Sequence, residues 1–109
     1  MITPTTSFKD NLQLLPSVDD IAHIDIIDTT GAILDTIENK PGKQGSLVVY
    51  RYLVEIFGSI DARAATHGLE VFAEHTADAK NRPGAHPNID RLLEIIESGE
   101  ALKLQVVTT

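Results

Sequence analysis

Between Glu74 and Asp90 the chain reads Glu-His-Thr-Ala-Asp-Ala-Lys-Asn-Arg-Pro-Gly-Ala-His-Pro-Asn-Ile-Asp, its densest run of reactive side chains. His75 and Asp78 stand three residues apart, and His86 and Asp90 four apart. Two imidazoles and two carboxylates are donor types for Zn²⁺, Mn²⁺ or Fe²⁺. His86 and Asp90 would share a helical face if a helix starts at His86. The candidates for a metal are therefore His75, Asp78, His86 and Asp90. The stretch contains no His-Glu-x-x-His, and its donors are spread over what reads as an irregular connection. Its plainer reading has His75 ending a strand, His86 capping a helix and the charges in water.

A second constellation is Lys40-Pro-Gly-Lys-Gln-Gly-Ser46. Glycines and lysines before a helix suit an anion, because free backbone N–H groups and the helix dipole favour negative charge there. The string lacks the Gly-x-x-x-x-Gly-Lys-Ser/Thr order of a nucleotide-binding loop. Pro41 and the glycines alone would also turn the chain, with the lysines serving solubility. Candidate ligand-binding residues across both constellations are Lys40, Lys43, Gln44, Ser46, His75, Arg82 and His86. Ser46 and Ser59 both read as helix caps, and neither lies in a Gly-x-Ser-x-Gly elbow. His23 reads as a strand-surface residue, and His67 sits at an expected helix C-terminus, where its cation would be favoured. The residues present no catalytic triad.

The elements that must position these groups follow from periodicity. Phe8, Leu12 and Leu15 carry helical spacing behind Ser7 as N-cap, ended by Pro16. Residues 1–6 read as a disordered leader. Ile21 to Asp28 alternates as a strand, and Thr29-Thr30-Gly31 turns it into a second strand from Ala32 to Ile37. Leu47 to Phe57 reads as a helix closed by Gly58 at C′, with Ser46 as its cap. Its polar stripe is narrow, which predicts burial between layers or cover by another subunit. A homodimer through the Leu47–Phe57 helix is accordingly expected. Ser59 to His67 reads as a third helix ended by Gly68, and Leu69 to Ala73 as a strand. Ile89, Leu92, Leu93 and Ile96 give a fourth helix starting at His86 or Asn88 and closed by Gly99. Leu102 to Val107 alternates as a last strand. The order αββααβαβ predicts an α+β fold in one domain, residues 1–109. Its sheet would be mostly antiparallel, a hairpin plus a C-terminal strand–helix–strand unit, with helices packed on it.

Composition narrows the function classes. The 109 residues carry 16 acids against 9 Lys and Arg, a net charge of −7. That field repels phosphate backbones and disfavours nucleic acid as a partner. With no cysteine, there is no disulfide, thiol nucleophile or Cys-ligated metal. No apolar run reaches the roughly 18 residues of a membrane span. The first residues lack the basic and apolar regions of a secretory signal. The cytoplasm is the expected compartment.

The stretches Phe8-Lys-Asp-Asn-Leu12, Ile37-Glu-Asn-Lys-Pro-Gly-Lys-Gln-Gly-Ser46, Ala73-Glu-His-Thr-Ala-Asp78 and His86-Pro-Asn-Ile-Asp-Arg-Leu-Leu93 resemble a family of small uncharacterised bacterial proteins of about this length. The resemblance runs over nearly the whole chain. It implies a bacterial cytoplasmic protein and carries no activity, cofactor or catalytic residue with it. The residues thus favour a non-enzymatic domain that binds a protein partner or a small anionic ligand. The competing expectation is a metal-dependent or anion-substrate enzyme built around His75, Asp78 and His86.

Overall fold

The computed structural model describes residues 1–109. Its elements follow one another as α1 (Phe8–Gln13), β1 (Ile21–Ile27), β2 (Ile33–Glu38), α2 (Gln44–Phe57), α3 (Ala62–Phe72), α4 (Glu74–Asn81), α5 (Pro87–Ser98) and β3 (Lys103–Thr108). The strands form one antiparallel sheet in the order β2-β1-β3. Asp28 ends β1 and folds the hairpin: its Oδ1 accepts from the Thr30 and Ala32 N–H groups at 2.9 and 3.0 Å. Gly31 follows at φ +88°, where a side chain would be strained.

Alternation on β1 sends Ile24 and Ile26 to one face. Ile24 lies opposite Ile37 and Val106, and Ile26 opposite Asp35 and Leu104. α2 covers this face, packing against all three strands, and α3 lies on the far side of α2. The expected α2 helix is thus real, and its apolar surface is explained. Leu47, Val49, Tyr50, Tyr52 and Leu53 are all buried within one chain. The helix sits between two layers, so its narrow polar stripe needs no second subunit. Behind it, α3 is wedged between α2 and α5. A Cβ added at Gly68 would come within 2.8 Å of Leu53 and 2.9 Å of Leu92.

That close approach corrects the reading of this region. Gly68 is an interior packing residue of α3, not its C-terminus, and Leu69 to Ala73 continues the helix to Phe72 instead of forming a strand. The buried stripe Ala64, Ala65, Gly68, Val71, Phe72 has helical spacing, but small residues hide it in the sequence. The cap is Asp61, whose Oδ1 accepts from the Ala64 N–H at 2.9 Å, and not Ser59. The Glu74–Asp90 connection is also shorter than expected, because Glu74–Asn81 is helical. With only Ala79 buried, α4 shows no apolar face to read. The strand–helix–strand unit is therefore absent, and all pairing in the sheet is antiparallel.

Residues 1–6 are tied down instead of forming a loose leader. The Ile2 N–H donates to the Tyr52 hydroxyl at 2.9 Å. Asn11, wholly buried, accepts from the Thr5 N–H at 2.7 Å and donates to the carbonyls of Thr5 and Val71 at 3.0 and 2.9 Å. One amide side chain thus serves the N-terminal strap and a carbonyl in the last turn of α3, which helical bonding leaves free. No helix is long and apolar enough to cross a membrane.

Candidate functional site

The two constellations singled out in the sequence meet. One cavity of about 260 Å³ is lined by Gly42, Gly45 and Ser46 from the turn into α2, and by His75, Ala85 and His86 from α4 and the α4–α5 connection; Phe8 and Phe72 complete its apolar wall.

Each side of the cleft is held by its own bonds. On the α2 side, Asn39 donates to the carbonyls of Val18 and Ile21 at 2.9 and 2.8 Å, and Gln44 donates to Asn39 at 2.9 Å. These bonds pin the turn to the start of β1. α2 begins at Gln44 with Lys43 at its N-cap and no side chain closing the cap. Ser46 is therefore a first-turn residue, not the cap expected of it. The N–H groups of Gly45 and Ser46 take no acceptor in the protein, as the first turn of a helix requires unless something caps it. A Cβ on Gly45 would lie 3.2 Å from the Phe8 ring, so the lack of a side chain lets that ring close the wall.

On the opposite side, Glu74 Oε1 accepts from the Phe8 N–H at 2.7 Å, joining the starts of α4 and α1. The Phe8 ring stacks on Phe72 and meets His75 edge-on, both at 5.2 Å between centroids. His75 and His86 rings stand 5.6 Å apart. His86 occupies the N-cap of α5 without capping it through its side chain. Its Nε2 instead lies 2.6 Å from Asp78 Oδ2. Asp78 also receives Arg82, from Nε at 2.9 Å and from a second guanidinium nitrogen. The Arg82 guanidinium first, and then His86, hold the Asp78 carboxyl well below the usual carboxylate range. Asp78 is therefore ionised at neutral pH and fixes the orientation of the His86 ring, as an outer carboxylate does for a histidine in many sites. Asp90 Oδ2 accepts the Gly84 N–H at 2.9 Å, closing the turn before α5. The α5 end adds the Asn88 N–H, also without an acceptor in the protein.

Of the sequence candidates, the cleft gathers Ser46, His75 and His86. Lys40 is engaged elsewhere, 2.6 Å from Glu38, a pairing that lowers the Glu38 pKa and raises that of Lys40. Gln44 braces the loop, Arg82 is bound to Asp78, and Lys43 does not line the cavity. Among the metal candidates, Asp78 and His86 are bonded to each other and Asp90 is committed to Gly84. No group of three or more His, Asp or Glu side chains is arranged to hold a metal ion. Phe8 and Phe72 have no local mark in the sequence, whereas Gly45 and Asn88 lie inside the two constellations and contribute backbone N–H groups that no side-chain type announces. Phe8 and Phe72 meet across more than sixty residues of chain.

A three-stranded antiparallel sheet covered on one face by helices, with a cleft at the N-terminal ends of two of them, defines a small α+β protein. Residues 8–106 match the family described as uncharacterised protein conserved in bacteria (DUF2322), and the chain belongs to that family. Comparison with curated proteins and with solved structures gives no match.

Proposed function

We propose that this protein is a non-enzymatic cytoplasmic domain whose cleft binds a small anionic ligand. The observation that carries the reading is the convergence of the Gly42–Ser46 turn and the His75–His86 segment on one cavity. Its rim holds the uncommitted N–H groups of Gly45, Ser46 and Asn88, at the positive ends of α2 and α5. Ser46 adds a hydroxyl and His75 a ring nitrogen, and the Phe8–Phe72 wall excludes water from one side. A volume near 260 Å³ lies just under the usual span for drug-sized ligands, which favours a small one. The lack of cysteine accords with a reducing compartment.

The test is a titration of ¹⁵N-labelled protein with inorganic phosphate and with acetate, at constant ionic strength against chloride. Saturable shifts of the Gly45, Ser46 and Asn88 amides are expected. Ser46→Ala should weaken binding about fivefold, the share of one neutral hydrogen bond. Shifts that do not saturate, or that scatter over surface lysines, would overturn the reading.

One observation favours the enzymatic alternative. A histidine held by an ionised carboxylate can carry a proton to or from a bound anionic substrate, and His86 is so held by Asp78. Turnover of a bound anion, lost in His86→Gln while phosphate binding persists, would select that alternative.

A further inference from the structure

A second groove, of about 510 Å³, runs between β2 and α5. Its floor is apolar, with Leu34, Ile95 and Leu102 along it. Leu34 is 55% exposed and its neighbour Ile33 60%, the most exposed large aliphatic residues after Met1. Such neighbouring apolar exposure at a groove marks an interaction surface more often than scattered single residues do.

The local geometry explains why Leu34 is there. Ile26 pairs with Asp35 but Ile27 pairs with Ile33, so Leu34 is the extra residue of a bulge. A bulge bends the strand and re-aims a side chain, and here Leu34 lines the groove beside α5. The same bulge disrupts the β2 edge and makes it a poor template for adding a strand. An occupant therefore enters by its side chains. The rim decides which ones. Asp28, Asp90, Glu94 and Glu100 surround the floor. The single cation among them, Arg91, is already paired with Asp35 at 2.6 Å. Neither Glu94 nor Glu100 pairs with a cation of this chain. A second copy would bring the same acidic rim against this one, within a net charge of −7 on each molecule, and like charges facing each other suppress association.

We propose that the groove between β2 and α5 docks a segment of a partner protein that carries an apolar side chain flanked by lysine or arginine. The apolar side chain lies on Leu34, Ile95 and Leu102, and the flanking cations meet Glu94 and Glu100. The groove adjoins the anion cleft at Pro87 and is otherwise lined by different residues.

The probe is a capped Lys-Lys-Leu-Lys-Lys peptide, titrated into ¹⁵N-labelled protein, with Lys-Lys-Ser-Lys-Lys as control. The leucine peptide should produce saturable shifts centred on Leu34, Ile95 and Leu102. Leu34→Ser should weaken it about fivefold, and the Glu94→Gln, Glu100→Gln pair should do the same. All three positions are exposed or rim residues, so the variants keep the wild-type pattern of dispersed amide signals. The proposal falls if the serine peptide binds equally well, if Leu34→Ser leaves binding unchanged, or if no shift saturates by about 10 mM, beyond the millimolar range of a weak contact. It also falls if Leu34→Ser abolishes a concentration-dependent doubling of mass, because the occupant is then a second copy.

Discussion

His67 and His86 are put to opposite uses by what surrounds them. His86 is half-exposed and fixed by the Asp78 carboxylate, whereas His67 is buried inside α3. The Tyr52 hydroxyl accepts the Ile2 N–H and lies 2.7 Å from His67 Nε2. With its O–H turned to Nε2 the hydroxyl suits a neutral imidazole, and burial of the ring disfavours the cation. Burial lowers the His67 pKa from the usual 6.5. The position near a helix C-terminus that favours its cation in the sequence reading is thus an interior one that disfavours it. In the unfolded chain His67 takes a proton near pH 6.5, and in the folded chain only at lower pH. Stability tied to neutral His67 is complete above 6.5 and is lost as pH falls through the folded value. Asp78 has the same sign in a lower window: its share is present above the ordinary 3.8 and lost as pH falls below it. Urea unfolding between about pH 7 and 5 should show falling stability, with a flatter slope in His67→Gln, which keeps an acceptor but does not titrate. Identical slopes in the two proteins would refute the assignment.

At the scale of elements, the junction between α3 and α4 decides where the cleft lies. Ala73 stands there at φ +53°, ψ −119°, the one residue other than glycine with positive φ. That region is open to glycine and strained for a residue with a Cβ, at a cost of order 1–3 kcal/mol. Its neighbours locate the purpose. Phe72 precedes the kink and His75 follows it, and both line the cleft. Turning the chain this sharply starts a new helix within two residues and sets His75 edge-on to Phe8. Ala73→Gly relieves the strain but gives the unfolded chain more freedom, about 1 kcal/mol of opposing effect. The expected result is a net gain of up to about 2 kcal/mol in urea unfolding, with the His75–His86 geometry unchanged. A loss of stability would mean that the Ala73 methyl contributes packing that outweighs its strain.

Over the whole molecule, the parts legible in the sequence are those whose periodicity is carried by large side chains. The hairpin with Gly31, the apolar face of α2, and α5 between His86 and Gly99 all stand where alternation or 3,4 spacing put them. The α3–α4 region was illegible because Ala64, Ala65 and Gly68 pack closely without looking apolar, and because α4 has almost no buried face. Of the cleft, Ser46, His75 and His86 were visible by residue type. Their meeting, and the aromatic wall between them, depend on how α1, α2 and α5 stack, which no local spacing encodes. The same stacking changes the expectation about assembly. The sequence leaves the apolar α2 without a cover, and the fold supplies one on both sides from its own sheet and α3. Of its large aliphatic residues, only Ile56 remains exposed, at 43%, too little for the hydrophobic core that obligate dimers share. With each copy carrying −7, the long-range field also opposes association, and salt should relax that opposition only weakly at α2, which leaves no large apolar patch behind it. Sedimentation equilibrium is therefore expected to return a mass near 11.9 kDa at both low and physiological salt. A mass of twice that, abolished by Ile56→Lys, would restore the α2 dimer and require the helix to be shared between two sheets.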